Sequence, residues 1–275
     1  MSRIVTFTEY GSPDVLKIVD VDVPAPGPDE IRIRVKAIGL NRAESMWRTG
    51  IYVEPVKLPG RLGYECSGIV DAVGGAVTPW GAFFERTPLI DKDIVLIPAA
   101  SSGVGLGAIQ VAKLAGTTVV ALSRGSAKKD YLIEAGADHV IATEEQDLVA
   151  EVSRIIDGKG ATVAFDPVGG SIFPKLVEAM AVGGTIYVYG ALSEDVTPLP
   201  MLPMVRKELL IRGYNIFGIT KSPERQAKVA QFVFDNVAAG KLKIAIAGIF
   251  PFDDIVEAHH ALERNQHVGK LVVTV

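Results

Sequence analysis

The chain has 275 residues, 48% of them hydrophobic, a formal net charge of −4 and a single cysteine, Cys66. This length accommodates two domains or one large one; the mild acidity excludes a nucleic-acid footprint or a polybasic membrane surface, and one thiol excludes an internal disulfide or an intrachain thiolate zinc cage. No apolar run is long enough to span a bilayer and the start, MSRIVTFTEYGSP, lacks an apolar signal core, so the expectation is a soluble, cytoplasmic protein in which Cys66 is a small packed side chain.

Residues 1–77 read as strands and turns. Ile4–Phe7, Leu16–Val23 and Ile31–Ala37 are rich in β-branched residues and are separated by Gly11-Ser12-Pro13 and by Pro24-Ala25-Pro26-Gly27-Pro28. Arg32, Arg34 and Lys36 alternate with Ile31, Ile33 and Val35, the period of a strand with one wet face. A short helix is expected over Asn41–Arg48 before Gly50, and a buried strand over Ile69–Val73. The run from Gly74 to Gly81 reads as a connection, followed by a short helical stretch at Ala82–Arg86.

From Asp93 the pattern changes to alternating strand and helix. Strands are expected at Ile94–Ile97, Val119–Leu122, His139–Ala142, Thr162–Val168, Thr185–Tyr189 and Leu210–Phe217, with helices such as Lys128–Ala135, Leu148–Ile156 and Phe173–Ala181 between them. Six strands joined by helical crossovers predict a parallel, doubly wound sheet. A long amphipathic helix, Glu224–Ala239, ends at Gly240. The tail returns to a strand at Ile244–Phe250, a helix at Asp253–Glu263 and a last strand at Leu271–Val275, expected to pack on the N-terminal segment.

The stretch from Asp93 to Arg124 forms one βαβ unit with its glycines at the strand-to-helix turn. There, backbone N–H groups and a helix N-terminus face a pyrophosphate, and a missing Cβ lets it approach. The spacing, Ser102-Gly103-Val104-Gly105 with Gly107, departs from G-x-G-x-x-G, and such a turn is also compatible with a plain tight connection. At the end of the second strand, where NAD-specific folds place an acid for the ribose 2′-OH, the chain reads Ser123-Arg124-Gly125-Ser126-Ala127-Lys128-Lys129, with three cations and no acid. That suits a 2′-phosphate, hence NADPH, or is a solvated basic loop. Ser101 and Ser102 lack a G-x-S-x-G elbow, which excludes a hydrolase. His139, His259, His260 and His267 receive no role.

Together these residues resemble the medium-chain dehydrogenase/reductase superfamily, and within it the zinc-independent quinone oxidoreductases. The resemblance rests on Pro-Gly-Pro near residue 27, Gly39-Leu40-Asn41-Arg42-Ala43-Glu44, Gly50-Ile51-Tyr52, Leu62-Gly63-Tyr64-Glu65 with Gly68, the Ala99–Gly105 turn, Ala135-Gly136-Ala137-Asp138, Phe165-Asp166-Pro167-Val168-Gly169-Gly170, Gly183-Gly184 through Gly190, and Gly269-Lys270-Leu271-Val272. It implies an α/β fold: a Rossmann six-stranded sheet over 85–244, and a truncated GroES-like β-rich catalytic domain formed by both chain ends, 1–84 and 245–275. Asn41 stands where zinc-dependent relatives carry a cysteine and Tyr64 where they carry a histidine, which implies no catalytic metal. Gly74 runs almost directly into Trp80, where the family has several tens of further residues, so a smaller catalytic domain is expected.

For the site, the resemblance implies coenzyme contacts from Ser101, Ser102, Gly103, Val104, Ser123, Arg124, Lys128, Lys129, Asp166, Val168, Gly190, Phe217 and Lys270. Lys129 matches the lysine such enzymes use for the 2′-phosphate. Asp166 lines the nicotinamide ribose or is a turn-forming carboxylate. Without zinc, the oxyanion that develops during hydride transfer needs hydrogen-bond donors, and Asn41, Tyr52 and Tyr64 are the catalytic candidates. The implied function is NADPH-dependent reduction of quinones or α,β-unsaturated carbonyls by a homodimer, with no nucleic-acid or membrane partner. The alternatives are an NADP(H)-binding protein with little or no catalysis, and reduction of simple carbonyls.

Overall fold

The computed structural model describes residues 2–23, 35–63, 65–67 and 74–275. The chain divides into two units, one of Met1–Ala72 with Ile244–Val275 and one of Val73–Lys243.

In the first unit, β1 (Ser2–Phe7) buries Val5 and Phe7 and exposes Ser2 and Arg3. It pairs antiparallel with β2 (Lys17–Val21). The next described strand is β3 (Ala37–Gly39). Of the expected strand Ile31–Ala37, residues 31–34 lie outside the described residues, and pairing is found only from Ala37 onward. Helix α1 (Arg42–Arg48) follows, then β4 (Gly60–Arg61), which pairs with β1, and β5 (Cys66–Ser67), which pairs with β3. The expected strand Ile69–Val73 lies wholly outside the described residues, as does Tyr64.

The second unit opens with α2 (Gly74–Trp80), which continues into wider π-type turns over Gly81–Arg86. This corrects the connection expected at 74–81. Ala76, Trp80, Ala82 and Phe83 are all buried, so an apolar face at helical spacing outweighs the two glycines. Pro79 lies inside the helix and has no N–H for the ladder, which accounts for the loosened turns that follow.

Strand and helix then alternate: β6 (Ile94–Ile97), α3 (Gly103–Leu114), β7 (Thr118–Ser123), α4 (Lys129–Glu134), β8 (His139–Ala142), α5 (Leu148–Ile155), β9 (Ala161–Asp166), α6 (Phe173–Ala179), β10 (Met180–Val188), α7 (Met201–Arg206) and β11 (Leu210–Gly213). The six strands form one sheet in the order β11-β10-β9-β6-β7-β8, and every neighbouring pair is parallel. This is the doubly wound sheet expected from the alternation, with the winding direction reversing between β6 and β9. Leu96, Val120, Leu122, Ile141, Phe173, Leu176 and Ile186 form its core. The last strand is shorter than expected: it stops at Gly213, the Asn215 side chain accepts the Phe217 N–H at 3.0 Å, and Phe217 opens the helical turn α8 (Phe217–Thr220). Helix α9 (Pro223–Ala238) is capped by Ser222.

The tail, β12 (Ile246–Pro251), α10 (Ile255–Arg264) and β13 (Lys270–Thr274), completes the first unit. Its sheet order is β12-β13-β3-β5, so the two chain ends share one sheet. Val5, Phe7 and Leu40 share a core with Phe252, Ile255, Leu271 and Val273.

Candidate functional site

The carboxyl end of β6 leads into Ala99, which holds a left-handed backbone at φ 49, a conformation that costs a non-glycine residue free energy. The chain then reverses, with the Ser102 N–H donating to the Ala99 carbonyl at 3.0 Å. Ser102 caps α3, its Oγ accepting the Gly105 N–H at 3.0 Å. Gly105 has no room for a side chain: an added Cβ would lie 2.5 Å from the Ala99 carbonyl oxygen and 2.6 Å from that of Ala100. The turn Ser101-Ser102-Gly103-Val104 is therefore tight, backbone-lined and at the N-terminus of a twelve-residue helix, which favours an anion.

The loop after β7 carries the expected cations, unequally disposed. Arg124 and Lys129 are exposed, whereas Lys128 is half-buried and its Nζ donates to Ser101 Oγ at 3.3 Å. Burial lowers the Lys128 ammonium below the usual lysine range, and the neighbouring Arg124 lowers it further. Lys128 thus links the basic loop to the phosphate turn, while Lys129, which the resemblance matches to the 2′-phosphate lysine, stays exposed. Ser123 is buried and its hydroxyl donates to the Gly125 carbonyl at 2.7 Å. The loop itself contains no acid, but a carboxylate reaches it from elsewhere in the chain. Glu145, from the loop after β8, accepts the Ser126 N–H at 2.8 Å.

At the end of β9, Asp166 is wholly buried and accepts N–H donors from Val168 at 2.8 Å and from Gly169 at 3.1 Å. Burial pushes its carboxyl upward and these two donors pull it back. Its contacts are those of a turn-forming carboxylate, and they hold the backbone at Val168 where the β9 edge ends. That edge is tied to the end of β10: Tyr189 N–H donates to the Asp166 carbonyl, Leu192 N–H to Pro167 and Ser193 N–H to Val168, each at 3.0 Å. Gly190 is required there, because a Cβ would meet the Pro167 carbonyl at 2.8 Å. Phe217 sits beyond β11 with the Lys221 ammonium 5.0 Å from its ring centre. Beside this edge the rings of Phe165 and Tyr189 stack at 4.0 Å.

In the first unit, Asn41 and Lys270 come together with Glu65, which the sequence reading left without a role. Lys270 Nζ donates to Asn41 Oδ1 at 2.8 Å and to Glu65 Oε2 at 2.7 Å, and Asn41 Nδ2 donates to Glu65 Oε2 and the Gly39 carbonyl at 3.0 and 3.1 Å. Glu44 supports this group from below, its carboxylate accepting the N–H groups of Asn41 and Gly63, each at 2.9 Å. Tyr52 is half-buried and makes no hydrogen bond to this group among the described residues; burial raises its phenol, with Glu54 adding to the effect, which favours the protonated form. In sequence Glu65 is only the last residue of Leu62-Gly63-Tyr64-Glu65, whereas Glu145 lies twenty residues beyond Gly125 and no sequence spacing marks it. Among the described residues no group of three His, Cys, Asp or Glu side chains is arranged to hold a metal.

Two family models match the chain, that of zinc-binding dehydrogenases over residues 103–242 and that of the alcohol dehydrogenase GroES-like domain over residues 27–82. The chain is 26% identical to a quinone oxidoreductase of Pseudomonas aeruginosa over 324 aligned positions, covering 99% of each chain. It is likewise 26% identical to quinone oxidoreductase 1 of Escherichia coli, covering 98% of each. Among solved structures, the quinone oxidoreductase of Escherichia coli complexed with NADPH superposes with a TM-score of 0.92 at 23% identity, covering all of both chains. An NAD-dependent alcohol dehydrogenase superposes with a TM-score of 0.88 at 27% identity, again over both whole chains.

Proposed function

We propose, from the premise that this chain belongs to the zinc-binding dehydrogenase family and to the quinone oxidoreductase-like proteins of the medium-chain dehydrogenase/reductase superfamily, that it is an NADPH-dependent oxidoreductase. Its acceptors are quinones or α,β-unsaturated carbonyl compounds. The observation that carries the coenzyme assignment is the Lys128 ammonium bonded to Ser101 of the phosphate turn, beside Arg124 and at the end of β7. Relatives matched over nearly their whole length are named as enzymes, and nothing favours the catalysis-free alternative.

In this reading Ser101, Ser102, Gly103 and Val104 hold the pyrophosphate, while Ser123, Arg124, Lys128 and Lys129 surround the 2′-phosphate. Val168, Gly190 and Phe217 line the nicotinamide half, and Asp166 holds the backbone of Val168 and Gly169 in position. When bound, the reduced nicotinamide supplies the hydride. Tyr52, kept protonated by burial, polarises the acceptor oxygen and is the proton donor, and Asn41 orients the acceptor or the coenzyme amide by exchanging one of the amide hydrogens it gives to Glu65 and Gly39. Tyr64 keeps the same assignment from the resemblance. Lys270, a coenzyme contact by the resemblance, also holds the Asn41 amide oxygen. The chemistry is zinc-independent. Asn41 offers a neutral amide whose oxygen already accepts from an ammonium, a surrounding that opposes a second cation.

The domain reading assigns the acceptor to the shortened β-rich unit and the coenzyme to the doubly wound unit. A homodimer is supported by the exposed apolar residues Val196 before α7, Met201, Leu202 and Val205 on α7, and Leu210 on β11, the edge strand of the six-stranded sheet. No helix of the described residues is long and apolar enough to cross a membrane, in keeping with a cytoplasmic assignment. The direct test is oxidation of NADPH, followed by nicotinamide absorbance, against a panel of quinones, enones and simple aldehydes. Turnover is expected with the first two classes. Tight NADPH binding without turnover on any acceptor would sink the proposal.

A further inference from the structure

The loop that receives the coenzyme's adenosine ribose in the reading above is met by a carboxylate from the loop after β8. Glu145 is held there by several independent contacts. The segment after β8 is laced to the segment after β7: Thr143 N–H donates to the Ser123 carbonyl at 2.8 Å and Glu144 N–H to that of Arg124 at 2.9 Å. Gln146 closes the same turn, its side-chain oxygen accepting the Ala142 N–H at 2.9 Å. The Glu145 carboxylate consequently reaches back across Gly125. A Cβ added to Gly125 would lie 3.1 Å from its Oε1, and that oxygen accepts the Ser126 N–H at 2.8 Å. The Ser126 amide, followed by the Ser126 hydroxyl, holds the carboxyl below the usual glutamate range, so it is charged at neutral pH.

We propose that Glu145 is the specificity-determining residue of this loop, tempering a preference for the 2′-phosphate that Arg124 and Lys128 would otherwise make strong. The carboxylate occupies the Ser126 N–H, a donor that faces the same loop as those cations, and its charge opposes that of a phosphate dianion while leaving a neutral ribose hydroxyl unopposed. The natural chain is therefore a binder of both coenzymes with a modest NADPH preference, rather than an NADPH specialist. This inference rests on the reading that the loop after β7 holds the adenosine ribose.

The test is equilibrium titration of NADPH and of NADH, read by nicotinamide fluorescence, on the parent chain and on E145Q, R124A and K128A. Glutamine keeps an acceptor for the Ser126 N–H and removes only the charge, and the position is exposed, so folding is spared. E145Q is expected to tighten NADPH about fivefold to tenfold, the size of a unit-charge interaction across about 4 Å of water at this exposed position, and to leave NADH within about twofold. Unchanged NADPH affinity in E145Q, or an equal change for both coenzymes, overturns the inference while the coenzyme assignment stands. Equal losses of NADPH and NADH affinity in R124A and K128A would overturn the ribose-loop reading itself, and the inference with it.

Discussion

His259 provides the sharpest quantitative expectation. It lies on α10 in the first unit, is wholly buried, and neither ring nitrogen has a hydrogen-bond partner among the described residues. Burial, reinforced by the positive charge of Arg48, pushes its pKa from 6.5 down to about 4, against a smaller opposing effect of Glu263. The unfolded chain therefore binds this proton as pH falls through about 6.5, while the folded chain stays neutral until about 4. Stability from this group is fully present above 6.5 and is lost as pH drops through that window. The gap of about 2.5 units corresponds to about 3 kcal/mol in total, of which about 2 kcal/mol is lost between pH 6.5 and pH 5. The chain's two tryptophans are divided between the units, Trp47 in the first and Trp80 in the second, so a Trp80→Phe background lets fluorescence report on the first unit alone. Urea unfolding of that background should lose about 2 kcal/mol more between pH 7.5 and pH 5 than the same protein carrying His259→Leu, which is neutral at every pH. The exposed His260–Asp14 pair is common to both proteins and cancels. Parallel stability lines for the two proteins would refute the reasoning.

Gly105→Ala should destabilise the doubly wound unit by about 2 kcal/mol and weaken NADPH by at least tenfold, because the atoms a Cβ meets are backbone carbonyls that cannot rotate away; calorimetry together with coenzyme titration checks both, and full affinity would exclude the tight-turn argument. Asp166→Asn should cost about 1–3 kcal/mol, since an amide brings donors to a buried site already filled by two N–H groups. Thermal denaturation reads that loss, and an unchanged midpoint would mean that the Asp166 carboxylate is not holding the Val168–Gly169 turn.

The parallel sheet was legible because each of its strands is a short apolar run separated from the next by a helical period, a signal carried by neighbours in sequence. Ile94–Ile97 and His139–Ala142 appear where their sequences place them. Helix α2 was hidden because Gly74, Gly75 and Pro79 read locally as a turn, and only burial of Ala76, Trp80 and Phe83 against the second unit's core favours the helix. The end of β11 was misjudged for a related reason. Tyr214, Ile216 and Phe217 continue an apolar pattern, yet the Asn215 side chain captures the Phe217 amide and turns the chain.

The same division runs through the site. By itself the sequence determined what is local: the small-residue turn that caps α3, the cations after β7, the Asp166-Pro167-Val168-Gly169 turn, and an asparagine in place of a metal ligand. These depend on backbone conformation and on residue type within a few positions of one another. Only the tertiary structure decided which charges meet. Lys128 rather than Lys129 reaches Ser101, Glu145 crosses from β8 to Ser126, and Lys270 joins Asn41 and Glu65 from the far end of the chain. Those partners stand 19 to 229 residues apart, and strand pairing, not sequence proximity, brings them within hydrogen-bond reach.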